Sequence, residues 1–98
     1  MADALSVNDI DKSLKGMDGW GNDDVYNCIR KEFDFDSFES SITFVQHVAS
    51  IAIEMGHYPD ILIHDRTKVK ITVANRETGG VTENDIAFIE SLEILVNS

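Results

Sequence analysis

A chain of 98 residues with 43% hydrophobic and 27% charged residues has the composition of an ordinary globular protein, and it is long enough for one modest core. Its formal charge of −10 repels phosphate backbones and anionic lipids over a Debye length of about 8 Å at physiological salt. We therefore expect neither nucleic acid nor a membrane as a direct ligand. We predict one domain over residues 1–98, with no internal repeat or linker.

The single cysteine and the N-terminal residues both indicate the compartment in which the protein works. Cys28 is the only cysteine, which excludes an intrachain disulfide and a cysteine metal cluster and fits a reducing compartment. The first residues carry no basic segment followed by an apolar one, so we predict a cytoplasmic protein. Many of the acids lie early in the chain, where they form either a solvated face or a docking surface for a basic partner.

The first third of the chain predicts a short helix followed by strands. Ser6 and Asp9 form a capping box ahead of apolar residues at helical spacing, and Gly16 and Gly19 weaken that pattern. Residues 21–24 are typical of a polar turn. The segment 25–35 predicts two short strands, because its second part alternates phenylalanine with acids.

A long helix should follow, opened by a capping box of Asp36 and Glu39. Gly56 provides a left-handed stop, and Pro59 prevents the helix from continuing. The predicted core-facing stripe recurs every three or four residues and consists of Phe38, Ile42, Val45, Val48, Ala49, Ala52 and Met55.

The last third predicts a hairpin and a final helix. Apolar runs at 61–64 and 69–73 flank the polar segment 65–68, and a third capping box of Thr82 and Asp85 opens the helix. That helix is apolar on two sides, so we expect one side on the sheet and the other in a subunit interface. The fold class is therefore α+β in the order α-β-β-α-β-β-α, with helices packed on an antiparallel sheet.

His57 is the main candidate for chemistry, because it lies where the long helix gives way to a strand and an imidazole there can face a pocket. The alternative is a polar residue that only closes the helix end. His47 and His64 complete the three histidines, but their spacing matches no ligand motif, so we predict no metal site.

Several features together resemble the pterin-4a-carbinolamine dehydratase family. They are Phe33 and Phe35 before the long helix, Val48-Ala49 within it, His57-Tyr58-Pro59-Asp60 at its exit, and residues 79–82 with Asp85 before the last helix. The likeness covers nearly the whole chain, from the Gly19-Trp20 pair to the last helix. It implies a four-stranded antiparallel sheet with three helices on one face, assembly as a homodimer or dimer-based tetramer, and removal of water from a 4a-hydroxytetrahydropterin without metal or organic cofactor.

The chain departs from the family signature, which has two adjacent histidines before the proline and a third from a later strand end. Only His57 is kept, since Tyr58 stands in the second position and Arg76 in the third. Ile53 occupies a helix position where the family commonly has a carboxylate. Each well-placed proton donor or acceptor contributes roughly 10²- to 10⁴-fold in rate, so the losses should be severe.

The remaining pocket positions each have two interpretations. Tyr58 either packs with a satisfied hydroxyl or serves as a surviving hydrogen-bond donor. Arg76 is either a loop cation, paired with Glu77 or Asp60, or a contact to a ligand or partner. Trp20 belongs to the core or to a pocket wall, and Pro59 and Asp60 accompany the pocket by resemblance.

We therefore predict a catalytically weakened or inactive pterin-dehydratase-like protein that binds another protein. A degenerate histidine set is similar to the branch of this family that assembles Rubisco in α-carboxysome-forming bacteria. The alternative is an active dehydratase with a pterin ligand, in which His57 transfers protons, Tyr58 donates and Arg76 orients the substrate. A third possibility, from relatives that bind the dimerisation helix of a homeodomain transcription factor, has no supporting feature in this sequence.

Overall fold

The computed structural model describes residues 5–17, 19–23, 28–74 and 80–97. Within these ranges three helices and four strands follow the predicted order. They are α1 (Val7–Leu14), β1 (Gly21–Asp23), β2 (Cys28–Asp34), α2 (Phe38–Met55), β3 (Asp60–His64), β4 (Lys68–Val73) and α3 (Glu83–Asn97). The predicted α+β class is thereby confirmed.

The four strands form one antiparallel sheet in the order β1-β2-β4-β3. Helix α2 carries the chain from β2 to the far edge of the sheet, and the hairpin then returns β4 to the middle. The hairpin loop spans residues 65–67, and its first two residues, Asp65 and Arg66, have φ angles of 51° and 67°. Two consecutive left-handed residues match the twist of the flanking strands, and the predicted hairpin is confirmed.

The two faces of the sheet differ because side chains alternate along each strand. In β4, Val69, Ile71 and Val73 are buried, while the residues between them are partly exposed. All three helices pack on this buried face, since α1, α2 and α3 contribute to the same core as the strands. We call the opposite side, which carries Arg30, Leu62 and Lys70, the open face of the sheet.

The prediction for the first two strands was wrong in detail. Residues 21–23, predicted as a polar turn, form β1 and pair with residues 28–30. The two strands predicted within 25–35 are a single strand, Cys28–Asp34, and residues 24–27 lie outside the described ranges. An edge strand such as β1 is stabilised by backbone hydrogen bonds to its neighbour, which do not depend on side-chain type. A short polar strand therefore has the same composition as a turn.

The buried side of α2 was also predicted imperfectly. Its N-cap is Ser37 rather than Asp36, with the Ser37 side chain accepting from the Ser40 N–H at 3.1 Å. Its buried residues are Ser41, Phe44, Val48 and Ala52, whereas Phe38 and Met55 are 45% and 41% exposed. Phe44, which the stripe omitted, lies 4.8 Å from Phe33 between ring centroids, so an aromatic from β2 determines which side faces inward.

The first and last helices agree with their predicted starts. Ser6 caps α1 by accepting from the Asp9 N–H at 3.2 Å, and α3 begins directly after Thr82. In α3, Phe88, Ile89 and Leu92 are buried while Ile94 is 72% exposed. The helix therefore has a second, uncovered apolar side, and the subunit interface there stays a prediction. Among the helices in the described ranges, none has the length and apolar character of a membrane span.

The end of α2 yields a test of backbone strain. Gly56 stops the helix in the left-handed region with φ of 65°, and a Cβ there would meet nothing within 4 Å. Gly56→Ala should therefore lower the free energy of unfolding by backbone strain alone, about 1–2 kcal/mol. Urea denaturation monitored by circular dichroism measures the change.

A matched control is Gly16→Ala, because Gly16 has φ of 86° and equally open surroundings. It should lower the free energy of unfolding by a similar amount while leaving the end of α2 unchanged. An unchanged urea midpoint for Gly56→Ala would show that the left-handed stop is not required.

Candidate functional site

The end of α2 holds the backbone of His57 in a fixed place. The Gly56 N–H donates to Ile53 O at 3.3 Å, and the His57 N–H donates to Ala52 O at 3.0 Å. This is the Schellman pattern, in which a left-handed glycine turns the chain back onto the last helical carbonyls. Pro59 then keeps the residue before it out of the helical region, so the chain leaves for β3.

The start of α3 supplies the partner of His57. Asp85, in the first turn of the helix, directs its Oδ2 atom back to the Thr82 N–H at 2.8 Å and the Thr82 hydroxyl at 3.3 Å. This is the reciprocal arm of a capping box, and both residues are fully buried. A carboxylate in the first turn is also favoured by the positive end of the helix dipole.

His57 and Asp85 form a hydrogen-bonded pair between the two helix ends. The His57 Nε2 atom bonds the second oxygen of the carboxylate, Oδ1. The imidazole also lies against Phe88, with 5.5 Å between ring centroids. The His57 side chain is 17% exposed and the Asp85 side chain is 0% exposed. The carboxylate is therefore shielded from water while one edge of the imidazole reaches the surface.

The pairing determines which imidazole nitrogen can do chemistry. A carboxylate only accepts hydrogen bonds, so Nε2 must carry the proton in this contact. The other nitrogen, Nδ1, has no hydrogen-bond partner within the described residues. In the neutral ring, Nδ1 then presents a lone pair that can take a proton.

Tyr58 and Asp60 lie on the other side of the sheet from this pair. Together they border a cavity of about 420 Å³ on the open face, lined by Cys28, Arg30, Tyr58, Asp60, Lys70, Thr72 and Ala74. Tyr58 is 72% exposed, so its hydroxyl is open to water or a ligand. Burial, reinforced by the charge of Asp23, raises the pKa of the Cys28 thiol, which leaves little nucleophilic thiolate at neutral pH.

Among the described residues, the other predicted pocket positions make no hydrogen bond or ring contact with the His57 and Asp85 side chains. Ile53 is 70% exposed on α2, and Trp20 is buried against Phe33 with 6.1 Å between ring centroids. Trp20 therefore lies in the core, and its Nε1 atom has no hydrogen-bond partner among the residues that the structure describes. Pro59 is half-buried ahead of β3. Arg76 lies outside the described residues.

The main residue of the candidate site that the sequence did not reveal is Asp85. The sequence predicted its capping role but gave no reason to place its carboxylate beside His57, 28 residues earlier. The aspartate itself gives no such signal, because Asp9 occupies the same position in the first capping box. Phe88 was predicted only as a core residue of α3.

The remaining histidines belong to other surfaces. His47 is exposed on α2, and His64 at the end of β3 pairs with Glu32 across the open face. Within residues 5–17, 19–23, 28–74 and 80–97, no three His, Cys, Asp or Glu side chains converge on a point that could hold a metal ion.

Comparison with known proteins identifies the family. The family model described as pterin 4 alpha carbinolamine dehydratase matches residues 3–95. A Roseiflexus sp. (strain RS-1) protein named "Putative pterin-4-alpha-carbinolamine dehydratase" is 41% identical over 93 residues, covering 95% of this chain and 97% of the relative. An Aquifex aeolicus protein of the same name is 33% identical over 96 residues, covering 98% and 94%.

Two solved structures share the fold. A transcriptional coactivator/pterin dehydratase from Brucella melitensis has a TM-score of 0.86 at 26% identity, covering 94% of this chain and 97% of its own. A pterin dehydratase-like protein described as a RuBisCO assembly factor in the alpha-carboxysome has a TM-score of 0.67 at 26% identity, covering 82% and 92%. On the family match and the extent of these likenesses, the chain belongs to the pterin-4a-carbinolamine dehydratase family.

Proposed function

We propose that this protein is a 4a-hydroxytetrahydropterin dehydratase in which His57 is the proton-transfer residue. The observation that carries the proposal is the hydrogen bond from His57 to the fully buried carboxylate of Asp85. The sequence alone favours a protein-binding role, because Tyr58 and Arg76 replace two histidines. The buried carboxylate changes that preference, since it gives the one retained histidine a fixed orientation with Nδ1 available to exchange a proton.

The reaction needs one proton delivered and one proton removed. The bond between C4a and its hydroxyl oxygen breaks, a C4a–N5 double bond forms, and N5 loses its proton. The hydroxyl must be protonated to leave as water, because hydroxide is a poor leaving group near neutral pH. The hydroxyl is bonded to C4a, which is bonded to N5, so both sites of proton transfer lie within reach of one imidazole nitrogen.

A single histidine can therefore perform both steps in turn. Protonated Nδ1 of His57 first donates to the leaving hydroxyl, and the N5 lone pair closes the double bond as water departs. The now neutral Nδ1 then takes the proton from N5, which restores the starting imidazolium. Asp85 remains a carboxylate throughout and stabilises the charged ring.

This cycle implies a moderate catalyst. One well-placed proton donor or acceptor contributes roughly 10²- to 10⁴-fold in rate, and a relative with three histidines has more such groups available. Tyr58 borders the cavity on the opposite side of the sheet, so its hydroxyl is not placed to assist proton transfer at His57.

Stopped-flow measurement on a 4a-hydroxytetrahydropterin tests this function. The wild-type protein should exceed the uncatalysed rate, and His57→Ala should remove roughly 10²- to 10⁴-fold of that gain. Asp85→Asn should also lower the rate, because an amide can donate to Nε2 and shift the ring proton onto Nδ1. His47→Ala is the matched control, since His47 is an exposed histidine on α2 and its loss should leave the rate unchanged. A wild-type rate equal to the uncatalysed one would overturn the proposal.

A second candidate is the protein-binding role in Rubisco assembly. It is favoured by the RuBisCO assembly factor that shares the fold, and by apolar side chains that stand open at the end of α2. Ile53 is 70% exposed and Met55 41%, and we take this exposed apolar end of α2 as the candidate patch for a protein partner.

Co-expression with the large and small subunits of an α-carboxysomal Rubisco tests the second candidate. If the protein assists assembly through this patch, the yield of holoenzyme should rise with the wild type and fall back with Ile53→Glu. Ser50→Glu, an exposed change one turn earlier on α2, is the control and should behave as wild type. An unchanged yield with the wild type would count against the assembly role.

A further inference from the structure

We propose that Thr82 is a positioning residue for His57, acting through Asp85, so that the cap of α3 also sets the orientation of the proton-transfer group. This inference rests on the proposed dehydratase function for its effect on rate. The orientation of His57 itself is measurable without any activity.

The first argument is how the two carboxylate oxygens are divided. Oδ2 of Asp85 accepts both from the Thr82 N–H at 2.8 Å and from the Thr82 hydroxyl at 3.3 Å, which leaves Oδ1 to His57. A carboxylate rotates about its terminal bond through a broad energy well when nothing holds it. Two donors from one residue fix that rotation and aim Oδ1 at the imidazole.

The second argument is burial. Thr82 and Asp85 are both fully buried, so water does not replace a hydrogen bond that either of them loses. In such surroundings a carboxylate that loses one donor turns toward whatever donors remain. Without the Thr82 hydroxyl, Oδ2 of Asp85 keeps only the Thr82 N–H as a donor. The carboxylate is then freer to rotate, so Oδ1 holds the imidazole of His57 less firmly.

The third argument separates this role from ordinary capping. A residue that only caps a helix accepts a hydrogen bond from the first turn, as Ser37 accepts from the Ser40 N–H at 3.1 Å in α2. The Thr82 hydroxyl instead donates to the side chain of Asp85. Its hydrogen therefore points at the group that holds the histidine.

The test compares three variants by two measurements. Thr82→Val keeps the shape and removes the hydroxyl, Thr82→Ser keeps the hydroxyl, and Ser37→Ala removes the cap of α2 far from the pair. Nitrogen-15 NMR of the imidazole reports which nitrogen of His57 carries the proton, and stopped-flow kinetics gives kcat.

We expect Thr82→Val to lower the population of His57 with its proton on Nε2 and to reduce kcat roughly 10- to 100-fold, the rate equivalent of one charge-assisted hydrogen bond. Thr82→Ser should restore both values. Ser37→Ala should lower the unfolding midpoint but leave the imidazole signals and kcat as in the wild type. If Thr82→Val does not fold, Thr82→Ala removes the same hydroxyl and serves in its place.

The proposal is overturned if removal of the hydroxyl lowers stability as Ser37→Ala does and leaves the His57 nitrogen signals and kcat unchanged. Thr82 would then be a cap only. If the wild type proves inactive on pterin, the NMR comparison still decides whether Thr82 orients His57, so failure of the dehydratase function and failure of this inference give different results.

Discussion

The contact between the exit of α2 and the entry of α3 is the constraint on which the candidate site depends. Asp85 is buried completely, and a buried carboxylate is costly unless its oxygens are all satisfied. Thr82 satisfies one oxygen and His57 the other. The same interaction that makes the carboxylate tolerable in the core therefore also fixes the imidazole at the surface.

The fold brings these two helix ends together by stacking both helices on one face of the sheet. Helices α2 and α3 pack directly on each other, and Phe88, one turn beyond Asp85, contacts the imidazole from the core side. The left-handed Gly56 then turns the chain sharply enough that His57 leaves the helix axis at that point. Each element is ordinary by itself, and the site arises from their relative placement.

The sheet separates two environments that the sequence had combined into one pocket. His57 lies on the helix side, whereas Tyr58 and Asp60 border the cavity on the open face with two cationic side chains, Arg30 and Lys70. Adjacent residues divide in this way because successive side chains in extended backbone point to opposite sides. The chain thus keeps the fold of the family, but His57 faces the helix side of the sheet while Tyr58 and Asp60 face the open side.

The fold was largely predictable from the sequence, since period-two and period-3.6 patterns report which side of a strand or helix is apolar. They placed the hairpin and the exit of α2 correctly. They failed for β1, because pairing at a sheet edge depends on backbone hydrogen bonds with a neighbour. They also failed for Phe44, because the aromatic partners that bury it come from β2 and its exit.

By itself, the sequence determined the order of elements, the helix ends at Gly56 and Thr82, and the presence of one histidine where the family signature has three. Only the tertiary structure decided that Asp85 meets His57, because 28 residues and an entire hairpin separate them along the chain. Local patterns carry information about neighbours within a few residues. A hydrogen bond between two helix ends depends on how both helices pack, which only the folded chain specifies.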